Sequence, residues 1–547
     1  MTTFPGYRSG VFVIDAELYR TDILNMRRED LSGHITDMRG KADLNFDGAK
    51  SEIEIVAHAD VLNDGDWVAP YLTYAPETGP LERVQMGHYR LDTPEVTYDG
   101  TDTPRVAVNG YDILEMLDKA VLPETFVTPF RGNIFQDLRT LWAMATRGAV
   151  GPNMVANPSF EDTDTAGNVT GWINNGTFGG GGAGFISWTG HQANYGTPTG
   201  ERAWGAVLNA SVPAGALASI AQSIPIPGAL VGQRIWVTGL WLPAHADHRG
   251  YITVSFRDAS GTTITGPGKV ITTPIQQRSA LRWTREHAYG VIPENAATMF
   301  VTVVVMDAVG GSTGQRRSSW DDIAVHTISG SPLPEARIAL PADPVFATTR
   351  IQSLGRTSFL EAMNDRLLAA GYNEMVPLGD GRITTIKKIE TRRAAAARTY
   401  IDRDHRIIDT YSVSRAPEDR YNWVMAVKEN LGQGTPLQAV AMNTDDQDPW
   451  SIGRMGQVPR VVVVQDAVDQ AALQVTAQAE LERAADLEFF DTTILPDPTL
   501  ALHDVIDIQS TDRSAGKWEL ESYEWGATTE DPLVRVSARR VTQERWT

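Results

Sequence analysis

The stretch NPSFEDTDTAGNVTGWINNG, residues 157–176, reads as the opening of a domain although it lies well inside a 547-residue chain. Just before it, IFQDLRTLWAMATRGAV places Leu, Ile, Met and Trp at helical spacing and stops at Gly148. Just after it, helix formers thin out and Gly, Thr, Ser and Trp rise. The runs GQRIWVTGLWL, GYITVSFRDASG and ATMFVTVVVMD then succeed one another at the spacing of a β-sandwich. The last strand of this all-β module is SSWDDIAVHTI, so the module is expected over 153–330.

Outward from that module the texture differs. Residues 1–115 alternate short apolar stretches with turn residues (GVFVIDA, KADLNFDG, SEIEIVAH, PRVAVNGYD), which predicts an antiparallel sheet or barrel. YDILEMLDKAV and IFQDLRTLWAMATRGAV predict two short helices. Beyond Ala347, TSFLEAMNDRLLAAGYNEMVPLGDGRITTIKK reads as helix, turn, strand. An acidic loop follows, MNTDDQDPWSIGRMG, then a helix, DAVDQAALQVTAQAELERAADLEFF, and closing strands GKWELESYEW and PLVRVSARRV. In the segment 349–371, Leu354, Phe359, Leu360, Met363 and Leu367 are expected to face a core.

Length predicts about three to five domains. No apolar run approaches the ~18 residues of a membrane-spanning helix, and the N-terminal residues lack the basic flank and apolar stretch of a secretory signal, which predicts synthesis in the cytoplasm. With 0 Cys there is no thiol chemistry, disulfide or zinc ribbon. A net charge of -20 argues against nucleic acid as a partner, since phosphate binding requires clustered Lys and Arg.

Catalytic signatures are missing: there is no GxSxG, HExxH, GxxxxGK[ST] or GxGxxG. HADH at 245–248 brings two His within reach of one metal, with no third ligand indicated, and reads as a polar loop. DTDTAG begins like an EF-hand loop but has Ala166 and Ile173 at the fifth and twelfth positions, where that loop needs oxygen ligands. Asp445, Asp446 and Asp448 read as a solvated loop. The module is dense in aromatics, with Trp172, Trp188, Tyr195, Trp204, Trp236 and Trp241; each one either fills the core or offers a flat face to a sugar ring.

Two resemblances follow. NMVANPSFEDTDTAGNVTGWINNG, GTPTGERAWGAVLNAS and SSWDDIAVHTI resemble the jelly-roll carbohydrate-binding modules, which open on Asn-x-x-Phe-Glu, carry a Gly-Trp pair and end in an Asp-Asp strand. That resemblance implies a structural calcium held by Glu161 with Asp321 or Asp322, and sugar contacts from Trp188, Tyr195 and Trp204. The flanks, through VQMGHYRLDTPEVTYDG, YNWVMAVKEN and PDPTLALHDVIDIQS, resemble the tail-tip or baseplate hub proteins (minor tail proteins) of tailed bacteriophages; His503 stands where that family places Gly.

The hub resemblance implies a multidomain β-rich fold with α+β parts. It has a first hub β-barrel over 1–115, a helical connector over 116–152, the inserted jelly-roll sandwich over 153–330, an α/β connector over 345–395, and a second hub barrel with a long helix and C-terminal sheet over 396–547. It also implies a non-enzymatic homotrimer at the distal end of the virion tail. Its partners there are the distal tail protein, the tail tube and tape-measure protein, other minor tail proteins and host cell-wall glycan, with no nucleic-acid sequence recognition and no membrane span. Two other readings fit: a tail-associated glycan hydrolase, which requires two carboxylates ~5 to 9.5 Å apart, and a non-viral carbohydrate-binding adhesin.

Overall fold

The computed structural model describes residues 7–541 apart from connecting stretches, the longest being 21–26, 98–104, 163–168, 188–201, 308–315, 329–336, 388–395, 402–410, 429–436 and 527–533. The chain is β-rich and divides into two units. One comprises 1–120, 333–342 and 360–547; the other comprises 121–332 and 343–359.

In the first unit, strands from both ends of the chain share one sheet. Ile35–Asn45 pairs with Gly48–His58 on one side and with Gly516–Gly526 on the other, in the register Arg39↔Gly526 to Asp43↔Ser522. Its core mixes Ile53, Ile55, Val68 and Val106 with Phe490, Ile506, Trp518 and Leu520. The two separate barrels implied by resemblance are therefore replaced, among the described residues, by one continuous open sheet running from Arg27–Asp30 to Ser412–Arg415. Alternation marks which side of a strand is buried but not which distant strand it pairs with.

The helices form where expected. Ile113–Lys119 is capped by Asp112, whose carboxylate accepts from Leu114 and Glu115 N–H and from Ser51 N and Oγ at 2.8 and 2.7 Å. In Phe359–Ala369, Phe359, Leu360, Met363 and Leu367 are buried, whereas Leu354 lies in the turn before the helix and is 63% exposed. It precedes the helical repeat and so cannot share its buried stripe.

The second unit holds a sandwich. One sheet runs Ile173–Phe178, Leu217–Pro225, Thr298–Asp307, His248–Arg257, Val270–Thr272; the other runs Gly182–Ser187, Arg202–Leu208, Arg316–Ile328, Arg234–Leu242, Thr284–Val291. Alternate residues such as Ile220, Ile252, Val303, Val237, Trp241 and Trp320 meet in one core. The helix Ile134–Ala145 belongs to this unit.

His503 takes the left-handed backbone (φ 68) that explains why glycine is usual there. The imidazole is buried, with Nδ1 2.6 Å from Glu519 and Nε2 at ion-pair distance, 3.7 Å, from Glu374. Burial alone pushes its pKa down; hydrogen bonding and charge from the two carboxylates outweigh that and hold it up at about 9. Its folded pKa lies above the unfolded value, so its contribution is complete below about 6.5 and is lost as pH rises through about 9. Asp112 and Asp504, each raised to about 6 by burial, are mostly ionised by pH 7. The melting temperature is therefore expected to fall between pH 7 and pH 9.5 in the parent, and to fall less in His503→Asn, which retains tolerance for φ 68; differential scanning calorimetry at each pH checks this.

Candidate functional site

The opening motif folds into a clasp. Asn157 (φ 50) accepts from Asp162 N with its side-chain oxygen, at 3.1 Å, and donates through Nδ2 to the carbonyls of Asp162 (2.8 Å) and Thr170 (3.3 Å). Its own carbonyl accepts from Trp172 Nε1 at 3.0 Å. Phe160 is fully buried with its ring 5.0 Å from that of Trp172, and Gly171 supplies φ +83 at the turn. Asn153 then stitches the segment to the last strand: Oδ1 accepts from Val325 N (2.9 Å) and Nδ2 donates to Ile323 O (3.2 Å). The Asn, Phe and Gly-Trp letters are thus explained by loop closure, and the module's first and last segments lie side by side.

The carboxylates that the resemblance implies for calcium lie in three different settings. Glu161 is half-buried, directly after Phe160. Asp321 is fully buried, with Oδ1 accepting from Asp322 N at 2.8 Å. Asp322 (φ 50) pairs with Arg285 at 2.8 Å. Among the described residues, no three His or carboxylate side chains gather at metal distance, and a guanidinium on Asp322 repels a cation.

Arg285 has a structural task instead. It is 3% exposed; its Nε lies 3.7 Å from Asp137 of the helix Ile134–Ala145, and its guanidinium carbon 4.6 Å above the Phe126 ring. Its backbone carbonyl accepts from Gln136 Nε2 at 2.5 Å. Helix and sandwich are joined through one buried cation between two acids. Arg285→Met removes the buried cation that both acids face and is expected to cost about 3–5 kcal/mol, read as a lowered midpoint in chemical denaturation.

Of the three sugar-contact residues, Trp188 and Tyr195 lie outside the described residues. Trp204 is a correction: it is fully buried, registered against Trp320 in the sandwich core, and has no face left for a sugar. Trp172, Trp236 and Trp241 are also buried. In HADH, His245 lies outside the described residues, while His248 is buried with Nδ1 2.7 Å from Ser318 Oγ. Asp448 closes its own loop, accepting from Trp450 N at 2.8 Å and Asn443 Nδ2 at 3.0 Å.

The sheet containing His248–Arg257 turns a row of polar residues outward. That strand alternates buried and half-buried residues, turning Arg249, Tyr251, Thr253 and Ser255 away from the core. Thr302 and Thr272 flank Thr253, and Phe300 sits beside Ser255 with the Arg257 guanidinium 4.1 Å over its ring. Burial pushes the Tyr251 phenol pKa up, so it stays a hydrogen-bond donor. Aromatic surface, hydroxyls and guanidinium on one flat face suit a polyhydroxylated ligand. The pattern is visible in GYITVSFRDASG as polar and aromatic residues at every second position.

No family model matches the sequence, and no curated protein matches it. Among solved structures, the chain is similar to the tail protein from Neisseria meningitidis MC58 (7% identity, 97% of this chain and 96% of that one, TM-score 0.46). It is similar in the same way to the prophage MuSo2 43 kDa tail protein from Shewanella oneidensis (8% identity, 96% and 98%, TM-score 0.43). A part of the chain is similar to the CBM22-1 xylan-binding domain of Paenibacillus barcinonensis Xyn10C (16% identity, 33% of this chain and 97% of that one, TM-score 0.22).

Proposed function

We propose that this chain is a structural protein of a phage tail, the hub at the tail tip, and that its sandwich presents a glycan-binding face to the host surface. The observation that carries the reading is the interrupted architecture: strands from both ends of the chain share one sheet and one core, while 121–332 and 343–359 form a second unit. The sequence resemblance of the flanks to hub proteins and of the middle to carbohydrate-binding modules gives each unit its role. In this reading the chain sits at the distal end of the virion tail as a ring of three copies, joined to the distal tail protein, tail tube, tape-measure protein and other minor tail proteins. Binding, not hydrolysis, is its contribution to attachment.

The glycan contact is assigned to Tyr251, Arg249 and the Thr253 row, replacing Trp204. Aromatic stacking supplies affinity and the hydroxyl and guanidinium donors supply orientation. In a pull-down with purified host cell-wall polysaccharide, Tyr251→Ala is expected to bind at least tenfold more weakly with the β-sheet circular dichroism spectrum retained, and the parent is expected to release no reducing sugar. Equal binding by parent and variant removes this face from the proposal. Immunogold labelling of virions tests the placement separately, and label along the tail shaft or on the capsid overturns it.

A further inference from the structure

The outward side of the sandwich sheet around Tyr251 has a charge pattern of its own. Leu217–Pro225, Thr298–Asp307 and His248–Arg257 lie side by side, and Ile220, Val303 and Ile252 face the core, so the alternate positions face outward. Those outward positions carry two cations, Arg249 and Arg257, and no carboxylate. The chain as a whole has 68 Asp and Glu against 48 Lys and Arg, so this face departs from the balance of the protein.

Arg257 is exposed, with its guanidinium 4.1 Å over the Phe300 ring, and among the described residues it meets no carboxylate. The acid next to it in sequence, Asp258, is engaged in its own loop: Oδ1 accepts from Ser260 N at 2.9 Å, Ser260 Oγ at 2.6 Å and Thr262 N at 2.9 Å. The guanidinium covers a face of Phe300, so a ligand at that end of the sheet meets N–H donors and a positive charge where a bare ring would offer an uncharged sugar a stacking plane.

We infer, resting on the glycan reading above, that the polymer bound here is acidic, carrying carboxylate or phosphate, and that Arg257 is the residue that recognises its charge. A neutral glycan requires no cation on its contact face. A chain of net charge -20 repels a polyanion unless the contact is locally basic, and two arginines with no carboxylate among the outward positions make it so. Stacking on Phe300 holds the guanidinium in place, so its planar fork loses less freedom on meeting an oxyanion than a free side chain does. Tyr251 and Arg257 lie six residues apart on one strand, about 20 Å, so a ligand that reaches both is a chain of several sugars.

The test is binding of the full chain to purified host cell-wall polysaccharide in three forms: untreated, with carboxylates amidated by carbodiimide and methylamine, and with phosphodiesters removed by hydrofluoric acid. The parent is expected to bind the untreated form and to lose at least tenfold in affinity on one of the treated forms, which identifies the anion. Raising the salt from about 0.1 to 1 M shortens the screening length from ~10 to ~3 Å and is expected to weaken the parent likewise. Arg257→Gln is expected to bind the untreated form at least tenfold more weakly and to lose the salt dependence, with the β-sheet circular dichroism spectrum retained. The treated ligands test the charge without any substitution. A parent that binds all three forms alike and is indifferent to salt overturns the inference and leaves the glycan reading standing. A parent that binds none of them overturns both, and an Arg257→Gln chain that binds and responds to salt as the parent does removes Arg257 from the role.

Discussion

The pairing of Ile35–Asn45 with Gly516–Gly526 is the constraint on which the first unit depends. It brings together residues almost the full chain apart, and it is held by a close fit. Trp525 lies over Gly40, where any Cβ would overlap the indole. Without that contact, the core residues contributed by the C-terminal strands, Trp518 and Leu520 among them, have no N-terminal partners to pack on. The cost of such closure grows slowly. Each doubling of the loop adds only about 0.6 kcal/mol, so a sandwich placed between the halves burdens the closure by less than that. Insertion is therefore thermodynamically mild, and its larger effect falls on folding rate, because non-local pairing is slow.

What makes the insertion self-sufficient is the way its ends are tied. Asn153 spans from the first segment to Ile323 and Val325 of the last strand, and Asn157 closes the loop between them. Arg285 does the equivalent for the helix Ile134–Ala145, exchanging water for two carboxylates and an aromatic face. A buried cation so placed adds modest net stability, but removing it takes the counter-charge from two acids, which is why the arrangement enforces a single geometry.

The letters that were legible are those whose physics is local. The NPSFED…GW motif announced a domain start because left-handed turns and a buried aromatic pair need those residue types within a few positions of one another. The helix at 359–369 was legible for the same reason. Strand partners were not, since alternation in Ile35–Asn45 is compatible with any neighbour of matching face. Nor were Trp204 and Asp322: the first is buried because its strand lies between Gly182–Ser187 and Arg316–Ile328, and the second is claimed by an Arg fixed on Thr284–Val291. The polar outward row through Tyr251 follows from the same alternation that buries Ile252 and Val254.

His503 shows how a departure from pattern can be absorbed. A side chain at φ 68 is strained relative to glycine, and a histidine there needs compensation. The fold supplies it with Glu519 on the neighbouring strand and Glu374 before Val376–Pro377, so the imidazolium ties three segments that glycine would leave unconnected. The tie holds only while the ring is protonated. A position that in glycine form would be indifferent to pH thereby becomes one that weakens in alkali. The local conflict is traded for a long-range ion pair whose strength depends on how completely water is excluded around it.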